Sequence, residues 1–230
     1  MTLFLKHRAT DLEEQMDDPD CHPDKLRRTY RQFSILNRAI TRWRSIFDSS
    51  IVPMARRDQP LRILDIGCGG GDLIRTLAKW CRREGIDAEL MGIDPEPRAI
   101  AYAQSRPIPD TARFRQAWAQ ELISDEPPFD LVFSNHLLHH LTPQELLNLC
   151  QTSSRLAKQL VLFNDIRRSD IGMAAFALTA PLLFHRSFIA RDGITSIRRS
   201  YTPDELARIV PEGWRVENRI PFRLLLIHEP

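Results

Sequence analysis

The segment 61–73, LRILDIGCGGGDL, constrains the possible fold more than any other part of this sequence. Its first half is apolar and partly β-branched, which predicts a buried strand. Three consecutive glycines, 69–71, lead into the apolar spacing of a helix, at Leu73, Ile74, Leu77 and Ala78. Glycine is required where the backbone takes unusual dihedral angles or approaches a ligand closely. A strand, a glycine turn and a helix N-terminus together predict a nucleotide-type pocket.

The charges around this turn favour a cationic ligand. The dinucleotide fingerprint G-x-G-x-x-G requires a third glycine at position 72, and the residue there is Asp72. Asp65, at the mouth of the strand, adds a carboxylate that is poorly placed for a pyrophosphate and well placed for a cation. S-adenosylmethionine (SAM) carries an ammonium and a sulfonium, so charge favours SAM over NAD. A chance glycine-rich turn and a dinucleotide site are the alternatives.

The pattern D-x-G-x-G-x-G of this segment resembles motif I of the class I SAM-dependent methyltransferases. The resemblance runs from about residue 60 to the C-terminus and is strongest up to Asp165. It implies an α/β fold with a Rossmann-like, seven-stranded, mostly parallel sheet and helices on both faces. It also implies that the cofactor lies against the motif residues Asp65, Gly67, Cys68, Gly69 and Gly71.

A second acidic residue follows the next predicted strand. The apolar segment 88–94 ends at Asp94, about twenty residues beyond the turn, where nucleotide-binding folds place an acid on the ribose hydroxyls. An N-cap for the following helix is the alternative, because Pro95 allows a helix to begin there. Together with motif I, the spacing favours the ribose role for Asp94, with Pro95 beside it in the cofactor site.

The end of the third predicted strand, within 113–122, is where the resemblance is incomplete. Many members of the family have an acid at the position of Trp118, where it binds the adenine amine. Trp118 is instead expected to stack on the adenine, next to Ala117. Alternatively, Gln116 or Gln120 supplies the polar contact. Adenine recognition is therefore left open between these residues.

The segment 129–141 is expected to carry the reaction chemistry. It resembles the family's motif IV region, beside the transferred methyl group, so Asn135 is expected to contact the cofactor or line the reaction site. His136 and His140 have the i, i+4 spacing of a helical metal pair, but the sequence shows no nearby third ligand, and no metal is predicted. His139 and His140 are the candidates for a general base or for acceptor binding. The alternative is that these histidines are hydrogen-bonded in the core or lie at the surface.

The fifth predicted strand, 156–165, ends at another acid. Asp165 lies at the C-terminal end of this strand, where open α/β sheets place ligands, and it is a third candidate catalytic residue. The alternative is that Asp165 caps the segment that follows.

Two helical regions are expected to cover the pocket. Residues 1–58 form a predicted N-terminal helical cap, with a polar helix over 11–16 and an amphipathic helix from Leu26 to Phe47. Residues 59–230 form the methyltransferase domain, with a helical lid inserted at about 166–200. The apolar helix of this lid favours a hydrophobic acceptor. Two closing strands, separated by Pro221, are expected to pair antiparallel at one sheet edge.

Composition argues against several classes of partner. The 32 basic residues are nearly matched by 30 acidic ones, so no nucleic acid is expected, and the scattered arginine pairs indicate a solvated surface. The four cysteines show no paired spacing, which argues against a disulfide framework or a zinc knuckle. Segment 1–5 is too short for a signal h-region, and the apolar run 171–184 falls short of a membrane span. The sequence therefore predicts a cytoplasmic location without a membrane span.

The resemblance implies methyl transfer from SAM to a small molecule. Our first expectation is O-methylation of a phenolic, quinol or polyketide-like hydrophobic compound, as in bacterial methyltransferases found among natural-product genes, which points to secondary metabolism. An NAD(P)-dependent oxidoreductase is disfavoured by Asp72 and by the lack of a Tyr-x-x-x-Lys pair. An RNA or protein methyltransferase is disfavoured by the near-neutral charge. A non-catalytic SAM-binding partner subunit stays open, as do the acceptor atom and the oligomeric state.

Overall fold

Seven strands form one mixed sheet in the computed structural model, which describes residues 4–230. Residues 1–3 of the predicted cap lie outside the described residues. The strands are β1 (Leu61–Ile66), β2 (Ala88–Asp94), β3 (Ala112–Gln116), β4 (Phe129–Asn135), β5 (Ala157–Ile166), β6 (Trp214–Arg219) and β7 (Arg223–His228). Their order is β3-β2-β1-β4-β5-β7-β6, and β7 runs antiparallel to both of its neighbours. The predicted sheet, including its closing antiparallel pair, is confirmed.

Helices cover both faces of this sheet. They are α1 (Pro23–Ile40), α2 (Trp43–Ile46), α3 (Asp72–Glu84), α4 (Pro97–Gln104), α5 (Leu122–Asp125), α6 (Pro143–Leu156), α7 (Asp170–Leu183), α8 (Ile189–Arg199) and α9 (Pro203–Ile209). A π-helical segment, Phe47–Ile51, and a 3-10 turn, Val52–Met54, follow α2. Shorter 3-10 turns at Ala119–Glu121 and Leu138–His140 connect strands to helices.

The central strands are buried on both sides, which explains their nearly continuous apolar sequence. Every residue of β4 except Asn135 is buried. Phe133 points into the core cluster under α2 and α3, and Val132 points into the cluster under α6 and α9. The two layers of side chains fix the register of the parallel strands, because a shift of one residue would exchange the faces.

Local signals set the starts of two helices as the sequence indicates. Thr142 caps α6 and exchanges hydrogen bonds with Glu145, and Thr202 does the same with Glu205 at α9. Each pair satisfies two main-chain N–H groups that the helix itself leaves free. These capping boxes place α6 and α9 against the sheet.

The N-terminal region differs from its predicted secondary structure. The expected helix over 11–16 is wrong, since these residues form turns and irregular backbone. The helix expected to run to Phe47 ends at Ile40, because Thr41 bonds back to the carbonyl of Asn37 and Arg42 adopts a left-handed conformation. The break turns Trp43 inward, where its ring packs against Phe133 with 4.8 Å between the ring centroids.

The scattered arginine pairs lie mostly at the surface, with one exception. Arg168 is 2% exposed and donates to the carbonyl oxygens of Leu5, Lys6 and Ser200 while pairing with Glu205. It therefore ties the N-terminal segment to the end of α8 and the start of α9.

Two further findings concern membrane-spanning helices and the cysteines. No helix within residues 4–230 is both long and apolar enough to cross a membrane. The four cysteines, Cys21, Cys68, Cys81 and Cys150, are all free thiols.

We expect Arg168→Ala to lower the free energy of unfolding by about 3 kcal/mol, because it leaves the half-buried carboxylate of Glu205 and three carbonyl groups without their donor. Arg57→Ala, which changes an exposed arginine, should shift it by less than about 0.5 kcal/mol. Urea denaturation followed by circular dichroism measures both. Equal stability of the two variants would contradict the structural role of Arg168.

Candidate active site

A cavity of about 670 Å³ opens at the C-terminal ends of the central strands. Its floor lies where β1 has β2 on one side and β4 on the other, so the strand order reverses at this point. Ligands bind at such a switch point in open α/β sheets. Helices α1, α7 and α8 and the segment 14–17 cover it. The volume lies within the usual range of small-molecule sites, about 300–1,000 Å³.

The glycine turn forms one wall of the cavity. Gly67 and Gly71 have φ angles of 73° and 72°, in the left-handed region that favours glycine. A Cβ atom at Gly71 would also overlap the ring of Phe114 on β3. The main-chain N–H groups of Gly67 and Cys68 donate to the carbonyl of Ile93 at 2.9 Å. The turn is thereby held against β2, with its backbone facing the cavity.

Three carboxylates converge on this wall, and one of them has an unpartnered oxygen. Asp65 is 2% exposed, and its Oδ1 has no hydrogen-bond partner. Burial, with repulsion from Asp72 and Asp94, raises the pKa of Asp65 well above its ordinary value. Asp72 accepts from the amide of Asn37 at 3.1 Å. This end of the cavity therefore suits a cationic ligand group.

Asp94 holds the turn instead of capping a helix. Its carboxylate accepts from the main-chain N–H of Gly69 at 2.8 Å and from that of Glu96 at 2.9 Å. Glu96 is the N-cap residue of α4. The alternative assignment of Asp94 as the N-cap is therefore wrong, and its carboxylate lies at the cavity wall next to Pro95.

A polar network fixes the end of β4. Asn135 accepts from the indole N–H of Trp43 at 3.0 Å and donates to Asn37 at 3.1 Å. Arg223, 2% exposed at the start of β7, donates to Asn135, Asn164 and His136. This network fixes Asn135 in the cavity wall.

His139, which also lines the cavity, lies between two carboxylates. Its Nδ1 is 2.8 Å from Asp165 Oδ1, and its Nε2 is 3.3 Å from Glu14 Oε1. Burial alone would lower the pKa of His139, but the two carboxylates raise it to about 9. Burial raises the pKa of Glu14, but its contacts with His139 and His140 bring it down to about 2. The group is therefore an ionised Asp165–His139–Glu14 chain at neutral pH.

His140 differs from its neighbour in charge. Its Nε2 is 3.8 Å from Glu14 and its Nδ1 is 3.6 Å from Asp17. Burial and the positive charge of His139 lower the pKa of His140 to about 4, so this imidazole is neutral. His136 instead contacts Asn37 and Arg223, since Leu138–His140 is a 3-10 turn and not the helix that an i, i+4 pair requires.

The N-terminal segment is held onto α8 and supplies Glu14 to the cavity. Asp192 accepts from the main-chain N–H groups of Gln15 and Met16, at 2.9 and 3.0 Å. Ser196 donates to Glu14 Oε1 at 2.6 Å. The first and the last third of the chain thus meet above the strand ends.

Most of the residues expected in the site line one cavity: Asp65, Gly67, Cys68, Gly69, Asp94, Pro95, Asn135, His139 and His140. Four others lie outside the lining: Gly71, Ala117, Trp118 and Asp165. Trp118 is 63% exposed, and Asp165 acts behind His139, from which it accepts two hydrogen bonds.

Sequence reasoning missed Glu14, Asn37 and Arg223 as members of the site's polar groups. Asn37 lies on α1 and lines the cavity. Glu14 and Arg223 carry no motif. They reach the site through contacts with residues far away in the sequence.

Comparisons with known proteins agree with this architecture. Residues 63–159 match a family model described as a methyltransferase domain. The chain is 40% identical over 83 residues to a ubiquinone biosynthesis O-methyltransferase of Azorhizobium caulinodans, a match covering 35% of this chain and 30% of that protein. It is 29% identical over 128 residues to an indolepyruvate C-methyltransferase of Streptomyces griseus, covering 54% and 39%. The chain thus spans well under half the length of these curated relatives.

A solved structure resembles the chain over most of its length. The plantazolicin methyltransferase BpumL, in complex with a pentazolic desmethylPZN analog and SAH, superposes with a TM-score of 0.66. The match covers 94% of this chain and 92% of that one, at 16% identity. At this identity the likeness establishes the fold.

We expect Asp65→Asn to stabilise the ligand-free protein by about 1–3 kcal/mol at pH 8, because it removes a buried charge with an unpartnered oxygen. The raised pKa of Asp65 gives the sign. Below about pH 4 the carboxyl is protonated in both states and the variant gains nothing. As pH rises, the unfolded chain ionises first and the wild type loses stability relative to the variant.

Urea denaturation between pH 4 and pH 8 measures this difference. Asp110→Asn, at an exposed position, is the matched control and should stay within about 0.5 kcal/mol of the wild type throughout. A destabilised Asp65→Asn at pH 8 would show that the carboxylate has a partner in the folded protein.

Proposed function

We propose that this chain is a class I SAM-dependent methyltransferase that transfers the methyl group of SAM to a small-molecule acceptor, which the match of residues 63–159 to a methyltransferase-domain model supports. The observation that carries this proposal is the buried carboxylate of Asp65 beside the glycine turn, whose Oδ1 has no hydrogen-bond partner. A pyrophosphate at that wall would meet three acidic side chains, whereas an ammonium group would be stabilised there. The same charge disfavours an NAD(P)-dependent oxidoreductase.

The acid-rich wall fits SAM in charge. Asp65 and Asp72 would hold its ammonium group, and the positive-φ turn, Gly67–Gly71, lets the backbone approach closely. Asp94 and Pro95 would lie beside the ribose. Ionised carboxylate-to-hydroxyl hydrogen bonds are worth about 1.5–3 kcal/mol each.

The adenine is assigned to the end of β3. The exposed ring of Trp118, beside Ala117, would stack on it, and burying an exposed indole in this way would favour binding. Asn135 would contact the cofactor from the end of β4. Its fixed position supports this role, because its amide is already oriented by Trp43 and Asn37.

The acceptor would occupy the end of the cavity below α7 and α8. Phe176, Ile189 and Ile197 supply apolar walls there, which favours a hydrophobic compound. We assign residues 1–58 and about 166–200 to a cap and a lid, since both supply lining residues. Relatives named O-methyltransferases support an oxygen acceptor, such as a phenol or quinol.

SAM supplies a methyl group that its sulfonium already activates, so the chain mainly aligns the acceptor. Correct alignment can account for roughly 7–11 kcal/mol of barrier lowering. Glu14, His139 and His140 would bind the acceptor hydroxyl and take up its proton. His140, the neutral imidazole, is the candidate base, and Asp165 positions His139.

Direct assays test the proposal. The purified full chain is expected to bind SAM with micromolar affinity by calorimetry, and to release S-adenosylhomocysteine with a phenol or quinol from a panel. Mass spectrometry and NMR of the product distinguish O-methyl from C-methyl. The absence of SAM binding at high protein concentration would overturn the proposal, and saturable NADH binding would favour an oxidoreductase. SAM binding without turnover on any acceptor would favour a partner subunit.

We expect Asp94→Ala to weaken SAM binding at least tenfold, since it removes an acceptor of two ribose hydroxyls. Its loss of folding stability should be smaller, about 1 kcal/mol, from two lost backbone contacts. Calorimetry and urea denaturation separate the two effects, with Asp110→Ala as the exposed control. Unchanged affinity would remove Asp94 from the cofactor site.

We expect the joint substitution of His139 and His140 by Gln to lower turnover by about 10²–10⁴-fold, the usual contribution of acid–base catalysis. The affinity for SAM should change little, because the two imidazoles contact Glu14, Asp17 and Asp165 and not the carboxylates beside the glycine turn. Turnover is followed by S-adenosylhomocysteine release and binding by calorimetry. Full turnover in this variant would assign the two histidines to packing.

A further inference from the structure

We propose that Glu14, His139 and His140 form a binding site for a divalent transition-metal ion in the wall of the cavity. The sequence predicts no metal here, since Glu14 lies far upstream of the histidines. The fold of the N-terminal segment over α8 brings the third ligand into place.

The distances among the ligand atoms suit a single ion. Glu14 Oε1 lies 3.3 Å from His139 Nε2 and 3.8 Å from His140 Nε2. All three ligand atoms lie within 4.8 Å of one another. Zinc bonds to nitrogen and oxygen are about 2.0–2.2 Å long, so tetrahedral ligands of one ion lie roughly 3.3–3.6 Å apart. The contact of Glu14 with His139 has this spacing, and its contact with His140 is slightly longer.

The first histidine is oriented as metal-binding histidines are. Asp165 Oδ1 holds His139 Nδ1 at 2.8 Å, and Asp165 Oδ2 accepts the main-chain N–H of His139 at 2.9 Å. A carboxylate on one imidazole nitrogen fixes the tautomer and directs the other nitrogen toward the ion. Ser196 donates a hydrogen bond to Glu14 Oε1 and holds this carboxylate beside the histidines.

The charge around the cluster also favours a cation. The carboxylates of Glu14 and Asp165 touch the histidines, and Asp17 lies 3.6 Å from His140. Arg8 and Arg199 approach the same turn, but their guanidinium groups donate to main-chain carbonyl oxygens of residues 139–141 and 12. Both arginines therefore hold the backbone of the histidines in place and leave the carboxylates free to bind a cation.

The ligand types indicate the class of ion. Two imidazoles and one carboxylate suit Zn²⁺, Co²⁺ or Fe²⁺, whereas Mg²⁺ and Ca²⁺ prefer oxygen ligands. Three protein ligands leave at least one coordination position open, as in catalytic sites. Glu14, His139 and His140 all line the cavity, so an ion bound to them would be accessible to a molecule in the cavity.

The role of the ion in catalysis rests on the proposed function, whereas its binding does not. Binding of the ion would displace the proton of His139, and its three ligands would then no longer take up the acceptor proton themselves. The ion would instead bind the acceptor oxygen and lower the pKa of its hydroxyl, whose proton would pass to solvent. The oxygen lone pair forms the new O–CH₃ bond while the C–S bond of SAM breaks and its electron pair stays on sulfur. The products are the methyl ether and S-adenosylhomocysteine.

The test is metal binding by the full chain after treatment with a chelator. Calorimetry with Zn²⁺ should show one ion per chain, and Co²⁺ should give the visible absorption of a low-symmetry site. Glu14→Gln and His140→Ala should each weaken Zn²⁺ binding at least tenfold. His185→Ala, which removes an exposed histidine away from the cavity, is the matched control and should bind as the wild type does.

Thermal unfolding and SAM calorimetry of each variant exclude loss of the fold as the cause. Unchanged Zn²⁺ affinity in Glu14→Gln and His140→Ala, or a wild type that binds no ion at millimolar Zn²⁺, would overturn the proposal. Zn²⁺ binding in a chain that fails to bind SAM would support the metal site and overturn the proposed function. SAM binding and turnover that are unaffected by the chelator, with Zn²⁺ binding at this cluster, would support the site and exclude its catalytic role.

Discussion

The buried carboxylate of Asp65 is the constraint on which the rest of the site depends. It stands at the end of β1, at the point where the strand order reverses, and the sheet gives it no cationic partner within the described residues. Burying an ionised group without a partner is unfavourable, so folding alone gives no reason for an acid at this position. A cationic ligand would remove that penalty. The glycine turn and Asp94 are arranged around the same point.

The cavity has two polar ends that differ in construction. The end at the glycine turn is made from residues close together in the sequence, and its geometry follows from a strand, a turn and a helix start. The histidine end is assembled from distant segments, with Glu14 from the N-terminus, His139 and His140 after β4, and Asp165 from β5. Contacts of α8 with the N-terminal segment hold this end together, so the same contacts cover the cavity and complete the cluster.

The two neighbouring histidines differ in charge because their surroundings differ. The centroids of their rings lie 4.3 Å apart. Two carboxylates nevertheless keep His139 positively charged, whereas His140 is neutral beside that charge. Only one of two interacting imidazoles this close is easily protonated. In the ligand-free protein the pair therefore offers one imidazole that is fixed and charged and one that is neutral.

The sequence by itself determined the elements whose signals are local. The alternation of strands and helices, the glycine turn, the acids at the ends of β1 and β2, and the capping boxes at Thr142 and Thr202 all follow from residues near one another in the chain. The tertiary structure decided what depends on distant partners: the break after Ile40, the burial of Arg168 and Arg223, and the meeting of Glu14 with His139. The spacing of apolar side chains along a segment determines whether it forms a helix or a strand. The partner of a single charged side chain depends instead on how the segments pack in the tertiary structure.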